Sequence, residues 1–253
     1  MKTKLALFLA ICLPACAQFN FFNALSTWKG AAVDTNLLVL YLPLAEASGD
    51  AIATTGPNFT QSGTVGALSP GRGVYTTNDY FSHSDSFAPN LASNSFTVTA
   101  WVKSSYFYTN ATTYAPVIIS SGTSTNFNFR FTGPYSDGFT DYDVGFDLLG
   151  STNETVGIGL GGAITNVNQW NFIVGQFNQP ALTAAVFVNM IDTVTNSIAA
   201  QPQATSSQTF RVGESISSTN ATPFIGYIQH LRIYTRLLSL TELTNLYNGG
   251  TPN

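Results

Sequence analysis

The sequence predicts an all-β protein, a large two-sheet antiparallel sandwich with one short C-terminal helix. Two observations predict it. Apolar residues come in short runs that alternate with polar ones at period two, and clusters of Gly, Pro, Asn and Ser separate the runs. The polar remainder is Thr, Ser, Asn, Gln and Gly rather than Lys and Glu, so only 9% of the 253 residues are charged, against about 25% in an average soluble domain. With 44% hydrophobic and 13% aromatic residues, the chain is neither disordered nor a polyelectrolyte.

At the N-terminus, Lys2 and Lys4 precede a continuous apolar run from Leu5 to Leu13, and Pro14-Ala15-Cys16-Ala17 ends in small residues where a signal peptidase reads them. Residues 1–17 therefore read as a secretory signal peptide cleaved before Gln18. The run is nine residues long, far short of the ~20 that span a bilayer as a helix, and no later segment comes closer. Leu13-Pro14-Ala15-Cys16 also approximates a bacterial lipoprotein signal, so lipid anchoring at Cys16 is the alternative to simple secretion. Both cysteines, Cys12 and Cys16, fall in this segment, which leaves the mature chain without a disulfide framework, a Cys nucleophile or Cys-ligated zinc. Residues 18–36 form an aromatic leader.

Residues 37–250 read as one domain. Strands are expected at 37–44, 95–103, 114–120, 127–131, 142–148, 155–160, 170–177, 184–189, 209–212 and 224–234, about ten to fourteen in all. Gly157-Ile158-Gly159-Leu160-Gly161-Gly162 leads from a strand into a turn rather than a helix, so a dinucleotide fingerprint fails. One helix is credible. Ser239-Leu240-Thr241-Glu242 is a capping box, Leu240, Leu243, Leu246 and Tyr247 share a face, and Gly249-Gly250 closes the C-terminus.

Charge narrows the partners. The net charge of −4 becomes −6 once Lys2 and Lys4 are removed, and no stretch concentrates basic residues, so nucleic acid is excluded as a partner.

The segments Phe96-Thr97-Val98-Thr99-Ala100-Trp101-Val102-Lys103, Trp170-Asn171-Phe172-Ile173-Val174 and Phe224-Ile225-Gly226-Tyr227-Ile228-Gln229-His230-Leu231-Arg232-Ile233-Tyr234 resemble the laminin-G-like jelly-roll domain of the concanavalin A-like lectin/glucanase superfamily. The continuation Thr235-Arg236-Leu237-Leu238-Ser239, then Glu242, Leu243 and Leu246-Tyr247-Asn248-Gly249-Gly250, is the specific part of the resemblance. Leu40-Tyr41-Leu42-Pro43-Leu44-Ala45-Glu46 and Thr77-Asn78-Asp79-Tyr80-Phe81 extend it over residues 37–250. It implies a two-sheet jelly roll that binds glycans or proteins, often with one calcium.

Two departures weaken the implied calcium. Family members carry an Asp where this chain has Thr54-Thr55-Gly56-Pro57-Asn58, and an acidic pair where it has Gln229-His230. Calcium takes six to eight oxygens, by preference several carboxylates, so the expectation is at most one weakly bound ion. A separate acidic cluster, Asp137, Asp141, Asp143 and Asp147, is either a solvated face or a metal site in which Asp141 and Asp143, with Asp137, pinch a cation.

Glycoside hydrolysis needs two carboxylates flanking one bond. Of four Glu, Glu46, Glu154, Glu214 and Glu242, none has an acidic neighbour two residues on, and Asp141 with Asp143 lacks a Glu acid. His83 has no local catalytic partner, and His230, alternating with Ile228 and Arg232, reads as a hydrogen-bonded sheet histidine. The expectation is therefore a non-enzyme.

Binding has better candidates. In Ser104-Ser105-Tyr106-Phe107-Tyr108-Thr109-Asn110, three consecutive aromatics in a polar loop cannot all face a core; a sugar's C–H face would stack on one ring while Asn110 orients its hydroxyls. Tyr135 is the second candidate. The sequons at Asn58, Asn110, Asn153 and Asn220 occur at the frequency chance allows in a chain this rich in Asn, Ser and Thr. The expected function is a secreted or cell-surface module for adhesion, binding carbohydrate or an extracellular protein. The rival is a structural subunit of a surface layer whose leader pairs with a neighbouring copy's sheet edge to build a homo-oligomer.

Overall fold

The computed structural model describes residues 37–46, 48–63, 66–67, 72–74, 79–84, 94–105, 117–121, 127–132, 142–149, 155–164, 168–198, 209–214, 224–250 and 252. Its strands are β1 (Leu38–Leu42), β2 (Thr60–Ser62), β3 (Gly66–Ala67), β4 (Arg72–Val74), β5 (Tyr80–Ser84), β6 (Phe96–Ser104), β7 (Val117–Ser121), β8 (Phe127–Thr132), β9 (Tyr142–Leu149), β10 (Thr155–Ile164), β11 (Asn171–Asn178), β12 (Thr183–Val188), β13 (Asp192–Ser197), β14 (Thr209–Val212) and β15 (Gly226–Tyr234). Helix α1 (Leu240–Gly250) follows.

The strands form two antiparallel sheets. One runs β13-β12-β11-β6-β15-β4-β3, with β1 beside the second half of β15; the other runs β10-β9-β8-β7-β14-β5-β2. Alternation aims one side of each strand at the facing sheet. From the first sheet come Phe96, Val98, Ala100, Val102, Ile173, Phe177, Leu231 and Ile233, and from the second Phe81, Ile118, Val144, Phe146, Leu148, Phe210 and Val212, all in one buried apolar cluster. Gly175 marks a close approach of the two sheets, because a Cβ there would stand 2.7 Å from the Phe146 ring.

The outer face of the first sheet has a cover of its own. Trp101, Phe172, Val174 and Tyr234 pack there against Leu238, Leu243 and Leu246. The capping box forms as expected: Ser239 N donates to Glu242 Oε2 at 2.8 Å and Glu242 N to Ser239 Oγ at 3.3 Å. Leu240, expected on the buried stripe, is 65% exposed; Leu238, just before the helix, supplies the buried leucine at that end. Gly250 lies inside the helix, and a Cβ on it would come within 3.0 Å of the Trp101 indole nitrogen.

Three further expectations change. Strand β10 does not stop at its glycine run but continues to Ile164, with a register shift after Leu160; it pairs with β9 alone, so an irregularity there breaks one ladder. Strands β2, β3, β4, β5 and β13 carry no apolar alternation that would announce them. His230 does not simply alternate with its neighbours. It sits at φ 52 in a bulge between Gln229 and Arg232, so that Ile228 and Leu231 both turn inward.

Candidate functional site

Tyr106, Phe107, Tyr108, Asn110, Tyr135, Asp137 and Asp141 lie outside the described residues, as do the expected signal peptide and leader. Asp143 belongs to β9, opposite Thr132, but its side chain is outside the described set. Among the described residues no three His, Cys, Asp or Glu are grouped to hold a metal. The root of the aromatic loop is described, and it borders an arrangement that sequence reasoning missed.

Lys103 pairs across the sheet with Tyr227 on β15, while Trp170 directly precedes Asn171, the partner of Val102 on β11. Trp170, Lys103 and Tyr227 therefore form a row across three neighbouring strands on the outer face. All three are half-buried. The two rings meet edge to face with centroids 6.4 Å apart, and the Lys103 ammonium stands 5.3 Å from the Tyr227 centroid. On the other side Tyr227 pairs with Gly73 of β4, which has no side chain of its own to set beside the ring.

Local structure fixes each member. Asn168 takes a left-handed φ of 63, which Asn tolerates, and donates its N–H to Ser104 O at 2.7 Å. Asn171 Nδ2 donates to Gln169 O, Asn189 Nδ2 to Asn171 Oδ1, and Phe172 N to Asn189 Oδ1, which holds the turn carrying Trp170. Ser105 N donates to Ile225 O at 3.0 Å. Next to it, Gly226 has no Cβ to collide with the Lys103 carbonyl oxygen, so β15 closes on β6 and brings Tyr227 beside Lys103. Exposed amides of Asn168 and Gln169 rim the row. Chemically this is an apolar platform with one cation and several neutral hydrogen-bonding groups.

A second cluster gathers the positions where the resemblance places calcium. Tyr41 N donates to Thr55 O and Thr54 N to Tyr41 O, both at 2.9 Å, and Tyr41 OH lies 3.0 Å from His230 Nδ1. Asn58 Oδ1 accepts from Ala53 N, and the carboxylates of the same loop, Glu46 and Asp50, accept from Ile52 N and Gln61 N. The Arg232 guanidinium stacks 4.2 Å from the Tyr41 centroid. The carbonyl, amide and carboxylate oxygens named here accept from backbone amides, and a guanidinium stands beside them, so the cluster suits a calcium ion poorly. His230 is hydrogen-bonded, and burial first, then the charge of Arg232, lowers its pKa from 6.5 to about 4. A ring neutral over that range is a structural group here rather than a base poised near neutrality.

The described glutamates are engaged too. Glu214 pairs with Arg211 at 3.4 Å, and Glu242 pairs with Arg236 at 2.7 Å. The hydrogen bonds from Arg236 and Ser239 bring the Glu242 pKa down to about 2, too low for a general acid.

Solved structures share this fold. The binding domain of botulinum neurotoxin serotype D, in complex with N-acetylneuraminic acid, superposes with a TM-score of 0.59 at 13% identity, covering 87% of this chain and 52% of that one. The botulinum neurotoxin DC binding domain in complex with rat synaptotagmin II gives 0.58 at 15% identity over 84% and 51%. The sialidase of Trypanosoma rangeli gives 0.61 at 13% identity over 86% and 33%. The chain thus spans about half of the toxin domains and a third of the sialidase. No curated protein matches the sequence. Residues 75–244 match Laminin_G_3, of the concanavalin A-like lectin/glucanases superfamily, and the chain belongs to that family.

Proposed function

We propose that the protein is a secreted or cell-surface binding module that acts without catalysis and takes carbohydrate on the outer face of its larger sheet. The row Trp170, Lys103 and Tyr227 carries this reading. Two adjacent rings offer a surface on which the C–H face of a sugar stacks, and Asn168, Gln169 and the ammonium supply donors and acceptors for its hydroxyls. Tyr106, Phe107, Tyr108 and Asn110 follow Ser105 in sequence, and Tyr106→Ala and Tyr108→Ala extend the test to them. Relatives of this fold solved with a sugar acid and with a protein support a binding role. Any calcium is weakly held and structural.

The test is a glycan array together with a reducing-sugar assay on polysaccharides, using the mature protein. Selective retention lost in Trp170→Ala and Tyr227→Ala is the expected result. Retention unchanged in both variants would remove the platform, and robust hydrolysis would remove the non-enzyme assignment.

A further inference from the structure

We propose that the row is selective for acidic glycans, with the Lys103 ammonium pairing with a carboxylate or sulfate of a sugar stacked on Trp170 and Tyr227. The inference rests on reading this rim as the glycan site. Its starting point is the scarcity of cations. Of four lysines, Lys2, Lys4, Lys29 and Lys103, only Lys103 lies beyond residue 29. The described arginine side chains are engaged: Arg211 with Glu214 and over Tyr80 at 4.3 Å, Arg236 with Glu242, and Arg232 over Tyr41 while donating to His230 O. Lys103 meets no carboxylate among the described residues.

An ammonium needs hydrogen-bond acceptors, and a π face supplies none of the lone pairs that its three donors take. In this chain Lys103 is half-buried and its ammonium stands 5.3 Å from the centroid of Tyr227, whose ring also meets Trp170, which sets the charge beside an apolar surface. A lysine serving solubility belongs on an exposed surface away from aromatic partners. The surrounding amides of Asn168 and Gln169 are neutral, and among the described residues Lys103 is the cation of this row. Charge and shape therefore complement a sugar that carries one anionic substituent next to its C–H face.

Matched pairs of ligands sharing a sugar backbone test this: polygalacturonate against its methyl ester for carboxylates, and a sulfated galactan against its desulfated form for sulfates. The mature protein is expected to bind the charged member of a pair about tenfold more tightly or better, and less so at high salt. Lys103→Met should remove the preference, so that both members of a pair bind alike, and Lys103→Arg should keep it. Whichever pair shows the effect identifies the anion. Equal binding of both members by the wild type, or a preference surviving in Lys103→Met, overturns acidic selectivity and leaves the platform standing if Trp170→Ala still abolishes binding. Loss in Lys103→Met with retention in Trp170→Ala shows plain charge attraction and overturns both readings. Circular dichroism of each variant separates lost binding from lost folding.

Discussion

The two faces of the larger sheet are made by the same strands and obey different rules. On the inner side, Phe96, Val98, Ala100, Val102, Ile173, Phe177, Leu231 and Ile233 meet the other sheet with no polar side chain among them. On the outer side, one residue over in each strand, lie Thr97, Thr99, Trp101, Gln229, Arg232 and Tyr234, all buried. Four atoms there, Thr99 Oγ1, Trp101 Nε1, Gln229 Oε1 and Tyr234 OH, have no hydrogen-bond partner among the described residues. A buried group left unpaired costs about 1–3 kcal/mol. The inner face is thus organised for packing, and the outer face keeps polar equipment that packing alone would have removed. The difference teaches where packing and polar chemistry are separated: apolar packing fills the space between the sheets, and the row proposed to bind glycans continues the costlier face.

The largest expected effect comes from breaking the inner face. Phe146 fills the space opened by Gly175 and meets Phe96 edge to face at 5.9 Å. Phe146→Ala should cost about 3–5 kcal/mol, since the rigid sheets cannot collapse onto the vacated volume. Denaturant unfolding measures it. A loss under about 1 kcal/mol would mean that the inner face is no better packed than the outer one.

The inner face was also the more legible of the two. Period-two alternation in 95–103 and 170–177 is the trace of Phe96–Ser104 and Asn171–Asn178, and the capping box placed the helix start. Edge strands left no such trace. Asp192–Ser197 is polar and pairs with β12 alone, so main-chain hydrogen bonds define it rather than side-chain burial. The bulge at His230 did leave a signal: Ile228 and Leu231 are three apart, a parity break that only an extra residue can reconcile with two inward side chains. The row Trp170, Lys103 and Tyr227 left none. Its members come from three strands, and alternation says which face a residue takes but not which strand lies beside it. The loop aromatics were visible because they are consecutive; the row exists only once register is set.

A smaller effect sharpens the comparison through pH. Among the described residues the titratable groups with a resolved shift, His230, Tyr234 and Glu242, lie outside the space between the sheets. His230 is faced by Tyr41 and Arg232, and its pKa drops from 6.5 to about 4 in the folded chain. As pH falls through this window the unfolded chain binds a proton that the folded one refuses. Stability is therefore full above 6.5 and declines toward 4, by at most about 3 kcal/mol and nearer 1–2 for a half-buried ring. Glu242, held down by Arg236 and Ser239, acts lower: its contribution is present above 4.5 and is lost as pH falls toward 2. His230→Asn, which keeps a residue tolerant of the left-handed φ, should flatten the melting temperature between pH 6.5 and 4 and leave the lower decline. A wild-type melting temperature constant from pH 7 to 4.5 would place His230 in water.

The smallest effect is the most discriminating, because it asks whether the unpaired atoms of the outer face are a real cost. Tyr234 is fully buried beneath α1, with the Arg236 guanidinium 5.8 Å from its ring centroid. Burial raises the phenol pKa from 10 to about 12, outweighing the nearby arginines. The folded chain therefore holds its proton after the unfolded chain has released it. Stability from this group is complete below pH 10 and lost as pH climbs toward 12. Tyr234→Phe keeps the ring and deletes only the hydroxyl, so at pH 7 it should change stability by no more than about 0.5 kcal/mol, or increase it, because a desolvated group without a protein partner is removed. At pH 11 the variant should outlast the wild type, whose decline it lacks. Urea unfolding at the two pH values reads both. A loss above about 1 kcal/mol at pH 7 would show that the hydroxyl is satisfied in solution, and the outer face would then be as well matched as the inner one, with no excess of polar equipment for the binding row to inherit.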